Sequence, residues 1–213
     1  MPFTVKLLIV KLHQRLYLYV PKRTSKIFAV PMNPDFASKT NWVVVTGAAS
    51  SGKTTLVNRL APFLEAEFYP EPARDYYESK RHEEGSSEEI WDDVKSSIMP
   101  IHRLRVQLEE SLKLDSLVLL DTAIPDTLPY SLIHDEEIHG VHDDCYRFEY
   151  YKKVFLLEQL GLERDNIRKP DRSERDKIEL MKKIIYSYLG YEVIFVPKMS
   201  IDKRVKFVAS HIM

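Results

Sequence analysis

Cysteine is almost absent from this chain: Cys145 is the only thiol among 213 residues. No internal disulfide can form, and a reducing, cytoplasmic compartment suits such a sequence. Long apolar runs are missing too, since no stretch reaches the length needed to span a bilayer. No low-complexity linker divides the chain. With 44% hydrophobic residues it can bury one sizeable core, so one domain with appendages is expected.

Acidic residues are lacking in one place only. Residues 1–31 hold six Lys or Arg and no Asp or Glu, so the arm carries +6 and the rest of the chain −7. Val5 to Leu12, Leu16 to Val20 and Ile27 to Val30 read as strands. That favours a β-hairpin packed on the body, or a stretch upstream of a start at Met32, over a targeting segment. The acidic body argues against a nucleic-acid partner.

Residues Gly47 to Thr54 read G-A-A-S-S-G-K-T, between the apolar run Trp42 to Val45 and the helical pattern Leu56, Val57, Leu60. This is a complete phosphate-binding loop in the strand–loop–helix context that the motif requires. Gly47 allows a tight turn out of the strand, and Gly52 lets the backbone approach phosphate without a Cβ in the way. Ala48, Ala49, Ser50, Ser51 and Thr55 complete the cradle. Lys53 supplies an ammonium group and Thr54 a hydroxyl suited to Mg²⁺. Binding of a nucleoside triphosphate, read as ATP with Mg²⁺, follows.

Beyond the loop, Ala66 to Tyr69 reads as a second strand, followed by a helix from Ala73. Ser86 and Glu89 look like a capping box, and a helix broken or restarted near Pro100 follows. Leu104, Leu108 and Leu112 at four-residue spacing predict its core stripe. Leu117 to Asp121 is a continuous apolar run ending in an acid, as expected of a strand buried on both faces. Lys153 to Leu157 and Val193 to Val196 are further strands. Ser173 caps a helix reaching Leu189 and closed by Gly190, and Ser200 to Ile212 forms a terminal helix. The fold class is therefore α/β: a three-layer αβα sandwich with a mainly parallel five-stranded sheet, a small lid and a β-rich N-terminal extension. Residues 1–31 form that extension, and 32–213 form the phosphate-binding domain, with the lid near 160–175.

Two absences narrow the chemistry. There is no N/T-K-x-D and no D-x-x-G, which disfavours a GTP switch. Thr122, not glutamate, follows the strand-end Asp121, which disfavours a motor ATPase. Transfer of a phosphoryl group to a bound hydroxyl needs Mg²⁺, a carboxylate near the acceptor and arginines that neutralise the migrating charge. Glu71, at the same sheet edge as the loop, and Arg74 fit the acceptor side, or else form a helix-start acid–arginine pair. Asp121 fits Mg²⁺, alongside Thr54. Asp126 would either face acceptor hydroxyls or cap a turn after Pro125. The charged segment Arg164 to Arg175 reads as a mobile lid, with Arg168 and Arg175 its leading arginines. His134, His139, His142, Asp143, Asp144 and Cys145 match no zinc spacing and are expected to face solvent.

G-A-A-S-S-G-K-T-T-L-V-N-R-L, then E-P-A-R-D-Y, then L-L-D-T, resembles the NadR-type family of AAA-like P-loop ATPases and kinases, over roughly Asn41 to the C-terminus. The resemblance implies ATP–Mg²⁺ at Gly47 to Thr55, an acceptor beside Glu71 and Arg74, a metal or acceptor role for Asp121, and Arg168 in the lid. The adenylyltransferase signature H-x-G-H of NAD-salvage regulators is missing. The expected function is a small-molecule, nucleoside-like kinase with Lys53, Glu71, Asp121, Arg168 and Arg175 as catalytic residues. The alternative is a nucleotide-dependent switch that recruits a protein. A homo-oligomer is compatible with either.

Overall fold

The computed structural model describes residues 40–84, 94–136, 139–146, 151–160 and 172–213. The N-terminal extension, the capping box at Ser86 and most of the lid, including Arg168, lie outside the described residues. Strand β1 (Trp42–Gly47) runs into helix α1 (Lys53–Leu64), then β2 (Glu67–Tyr69), α2 (Pro72–Glu84) and α3 (Val94–Ser111). Strand β3 (Val118–Asp121) leads to a 3₁₀ turn (Ile124–Thr127), α4 (Leu128–Ile133) and α5 (His139–Asp144). The remainder is β4 (Lys153–Leu157), α6 (Arg172–Tyr188), β5 (Val193–Val196) and α7 (Ile201–Ile212).

The five strands lie in the order β2-β3-β1-β4-β5, and every pairing is parallel. Alternation along β1 builds both layers, because successive strand side chains point to opposite faces. Trp42 and Val44 enter one core with Val118, Leu120, Val154, Met181, Ile185 and Tyr186. Val43 and Val45 enter the other with Leu56, Leu60, Leu119, Phe155, Leu157 and Val208. Helices α1 and α7 thus cover one face, and α3 and α6 the other. On α1 the buried positions Lys53, Leu56, Val57, Leu60 and Ala61 follow the helical repeat. No described helix is long and apolar enough to cross a membrane.

Two expectations about α3 are corrected. The helix is continuous through Pro100, which lies inside it. Its buried face is only partly the leucine stripe: Leu108 and Leu112 are partly buried against the core, but Leu104 is exposed, while Ile98, Ile101, His102, Arg105, Val106 and Glu109 are buried. Charged groups at three of those positions are accommodated by partners on other elements. Glu109 accepts from the Ile124 N–H at 2.9 Å and the Tyr151 hydroxyl at 2.8 Å. His102 Nε2 lies 2.8 Å from Asp144, and Cys145 is buried, so that part of the His/Asp/Cys stretch faces inward. Among the described residues no cluster of three or more His, Cys, Asp or Glu is placed to hold a metal ion.

Burial dominates the Glu109 carboxyl and, despite the Tyr151 and Ile124 hydrogen bonds and the Arg105 charge, raises its pKa from 4.5 to about 7. Folding therefore favours the protonated form. This contribution to stability is complete below the unfolded value and is lost as pH rises through the folded one, at about 1.4 kcal/mol per unit in between. Glu109→Gln is expected to flatten the stability–pH curve between about pH 5 and 7, as read by urea denaturation across that range.

Candidate active site

The site forms where β1, β2 and β3 end. Parallel pairing sets Val45 opposite Asp121 and Tyr69 opposite Leu120. Strand ends that lie far apart in sequence therefore deliver Gly47, Asp121 and Glu71 to one edge, where ligands bind in open parallel sheets. Gly47 has φ +153, and a Cβ there would sit 2.8 Å from Ser51 Oγ and 2.9 Å from the Leu157 carbonyl. Gly52, with φ 84, occupies the N-cap of α1, whose first turn carries no acid. That helix start presents free N–H groups and a positive dipole end to the loop.

Lys53 is buried, with Nζ donating to the Gly47 and Ala48 carbonyls at 3.4 and 3.2 Å. Thr54 is half-buried, and its hydroxyl donates to Asp121 Oδ2 at 2.6 Å. Asp121 is 1% exposed, and its other oxygen, Oδ1, has no hydrogen-bond partner. Burial raises the Asp121 pKa, opposed by Lys53, reinforced by Glu71, and opposed again by the Thr54 hydroxyl and Lys182. Thr122, next in line, holds φ 72, which is rare for a β-branched residue, and its buried hydroxyl also has no partner.

Three such unsatisfied buried atoms, Ser51 Oγ, Asp121 Oδ1 and Thr122 Oγ1, lie at this edge. Buried polar groups in folded proteins are otherwise nearly always paired, so these mark where a polar ligand would complete the set. Thr54 and Asp121 form a hard-oxygen pair suited to Mg²⁺, and the spare Oδ1 fits a metal or a metal-bound water.

Beside this edge a cleft with an empty volume of about 300 Å³ opens between α2, α3 and the 3₁₀ turn. Glu71, Tyr77, Ser97, Arg105, Thr127 and Tyr130 contribute to its lining. Tyr77 and Ser97 hydroxyls lie 2.6 Å apart, and Arg105 reaches Thr127 Oγ1 at 2.9 Å and Glu71 Oε1 at 3.4 Å. The arginine against Glu71 is therefore Arg105, which the sequence reading missed. Ala73 and Tyr77, one helical turn apart, face the cleft. Arg74, turned about 100° from Ala73 by the helix pitch, is exposed and does not line it.

Asp126 also departs from an acceptor-facing role, since it is 0% exposed and its carboxylate is fully engaged. Thr46 Oγ1, Lys182 Nζ at 2.9 Å, the Tyr186 hydroxyl at 2.8 Å and the Ala123 N–H at 2.8 Å all reach it. Burial alone would raise its pKa; Lys182, then Arg105 and the hydrogen bonds of Thr46 and Lys182, outweigh that and lower it. The Ala123 contact is the turn-capping alternative. Lys182 was missed, although it stands among Ile178, Met181, Ile185 and Tyr186 at a core position of α6. A lysine in such a stripe is the signal that could have found it. Arg175 is buried at the start of the same stripe. Arg204, 1% exposed, ties the loop to its surroundings through the Ser51, Glu158 and Pro197 carbonyls at 2.6, 2.8 and 3.3 Å.

Sheet order, loop and strand-end acid together define a P-loop protein with the fold of the nucleotide kinases. The chain belongs to the AAA domain family, whose model matches residues 42–204. Its fold is similar to that of NadR in complex with NAD and AMP-PNP, at a TM-score of 0.58 and 20% identity, over 82% of this chain and 50% of that one. Thymidylate kinase from Ehrlichia chaffeensis matches at 0.57 and 12% identity, over 82% and 98%. Deoxyadenosine kinase from M. mycoides matches at 0.53 and 13%, over 80% and 97%. No curated protein matches the chain by sequence.

Gly47→Ala would place its Cβ against a backbone carbonyl that cannot give way, so a loss of about 2 kcal/mol in stability is expected. Thermal denaturation measures it, and nucleotide affinity should fall in the same variant.

Proposed function

We propose that the protein is an ATP-dependent kinase that transfers the γ-phosphoryl group to a hydroxyl of a small, nucleoside-like acceptor. The observation that carries this reading is the open cleft, with the Glu71 carboxylate in its lining, beside the loop and Asp121.

In this reading residues 47–55 hold the triphosphate, and Lys53 leaves its own loop carbonyls for phosphate oxygens. Thr54 and Asp121 hold Mg²⁺, which neutralises charge on the phosphate oxygens. Glu71 orients the acceptor hydroxyl and takes its proton as the acceptor oxygen bonds to phosphorus and ADP departs. Arg105 holds the Glu71 carboxylate in place. Tyr77, Ser97 and Tyr130 offer hydroxyls and ring faces for the rest of the acceptor. Arg175, and with it Arg168, neutralises charge on the migrating group. Deoxyadenosine kinase with dCMP and dCDP bound, and NadR in complex with NR, share this fold and support this choice of acceptor class.

Screening nucleosides, nicotinamide riboside among them, for acceptor-dependent ADP release tests the proposal. Glu71→Gln is expected to lower kcat roughly a hundredfold with little change in ATP affinity, whereas Lys53→Ala abolishes ATP binding. Release of ADP that no acceptor stimulates would sink the kinase reading.

A further inference from the structure

Behind the first residue of the phosphate loop lies a buried polar cluster of Thr46, Asp126, Lys182 and Tyr186. Lys182 is 2% exposed. Its Nζ donates to the Gly47 carbonyl at 2.9 Å and Thr46 Oγ1 at 3.2 Å, and pairs with Asp126 at 2.9 Å. The same Gly47 carbonyl also receives Lys53 Nζ at 3.4 Å. Two ammonium groups thus converge on one oxygen.

They differ in what holds them. Among the described residues Lys53 has hydrogen bonds to loop carbonyls alone, whereas Lys182 is fixed by an ion pair and two further hydrogen bonds. If Lys53 turns to a phosphate, a buried carbonyl that it alone satisfied would be left bare, which opposes binding. We propose that Lys182 is a positioning residue of the phosphate loop: it keeps the Gly47 carbonyl satisfied and the loop in place while Lys53 transfers to the nucleotide. The inference rests on the triphosphate reading of residues 47–55.

A role confined to stability fits less well. A buried ion pair adds little that well-packed apolar residues could not replace. Apolar residues cannot donate to Gly47. Lys182 also stands seven residues after Arg175 on one face of α6, about 10 Å along the axis. The helix that anchors the loop therefore also carries Arg175, the arginine assigned to the migrating phosphoryl group in the proposed function.

Lys182→Met alone would strand the buried Asp126 carboxylate, so the informative protein is the double variant Lys182→Met with Asp126→Asn. The amide keeps an acceptor oxygen and gains donors, and its melting temperature should lie closer to wild type than that of the single variant. Calorimetric titration with ATP and Mg²⁺ is expected to show affinity reduced at least tenfold in this folded double variant. A smaller reduction would overturn the positioning role while leaving the triphosphate reading intact. A wild-type chain that does not bind ATP would overturn both. A crystal structure of the wild-type complex with a non-hydrolysable ATP analogue tests the same point without mutation. Lys182 Nζ should remain hydrogen-bonded to Gly47 with Lys53 Nζ on a phosphate, and a Lys182 parted from Gly47 would refute the proposal.

Discussion

Parallel pairing of β1 between β3 and β4 sets Val45 beside Asp121 and Gly47 beside Leu157. Almost everything at the site depends on that register. Side chains alternate along a strand, so a one-residue slip would exchange its two faces and send Asp121 away from Thr54. The apolar residues of β1 resist such a slip because both faces are buried, with Trp42 and Val44 in one core and Val43 and Val45 in the other. Packing energy thus secures the alignment that the phosphate loop and its acidic partner require.

Charge is buried around this edge in an unusual pattern. Lys53, Arg105, Glu109, Asp121, Asp126, Arg175, Lys182 and Arg204 are all buried. Isolated charges in a core are costly, so their persistence demands partners. Asp126 and Lys182 satisfy one another, and each is held further into its charged form: burial lowers the Lys182 pKa, but Asp126 and weaker neighbours raise it overall. Asp121 stands apart, its burial only partly offset by Lys53 and Thr54. A carboxylate in that condition is one that a cation would stabilise.

Much of the fold was legible in the chain. β4 and β5 lie at Lys153–Leu157 and Val193–Val196 as expected, because short runs of β-branched and aliphatic residues between breakers admit little else. The phosphate loop was legible because its motif residues are contiguous, with Gly47, Gly52, Lys53 and Thr54 all on one turn and one helix start. The buried face of helix α3 was legible only in part, since Leu108 and Leu112 pack against the core but Leu104 is exposed. Leucines at four-residue spacing resemble a core stripe, but burial depends on which face meets the sheet, and there His102, Arg105 and Glu109 found partners that make their burial tolerable.

Residue types and their order determined the strand–loop–helix unit, the alternation of α and β elements, and the acid at the end of β3. Tertiary structure decided which acids and bases meet. Glu71 faces Arg105 from 34 positions away, and Lys182 reaches Gly47 across 135. It also turned Asp126 inward and left Arg74 exposed. Local propensity acts through neighbours in sequence, whereas sheet order and helix rotation are set by burying apolar area over the whole chain, and only that global packing determines which distant charges must satisfy one another.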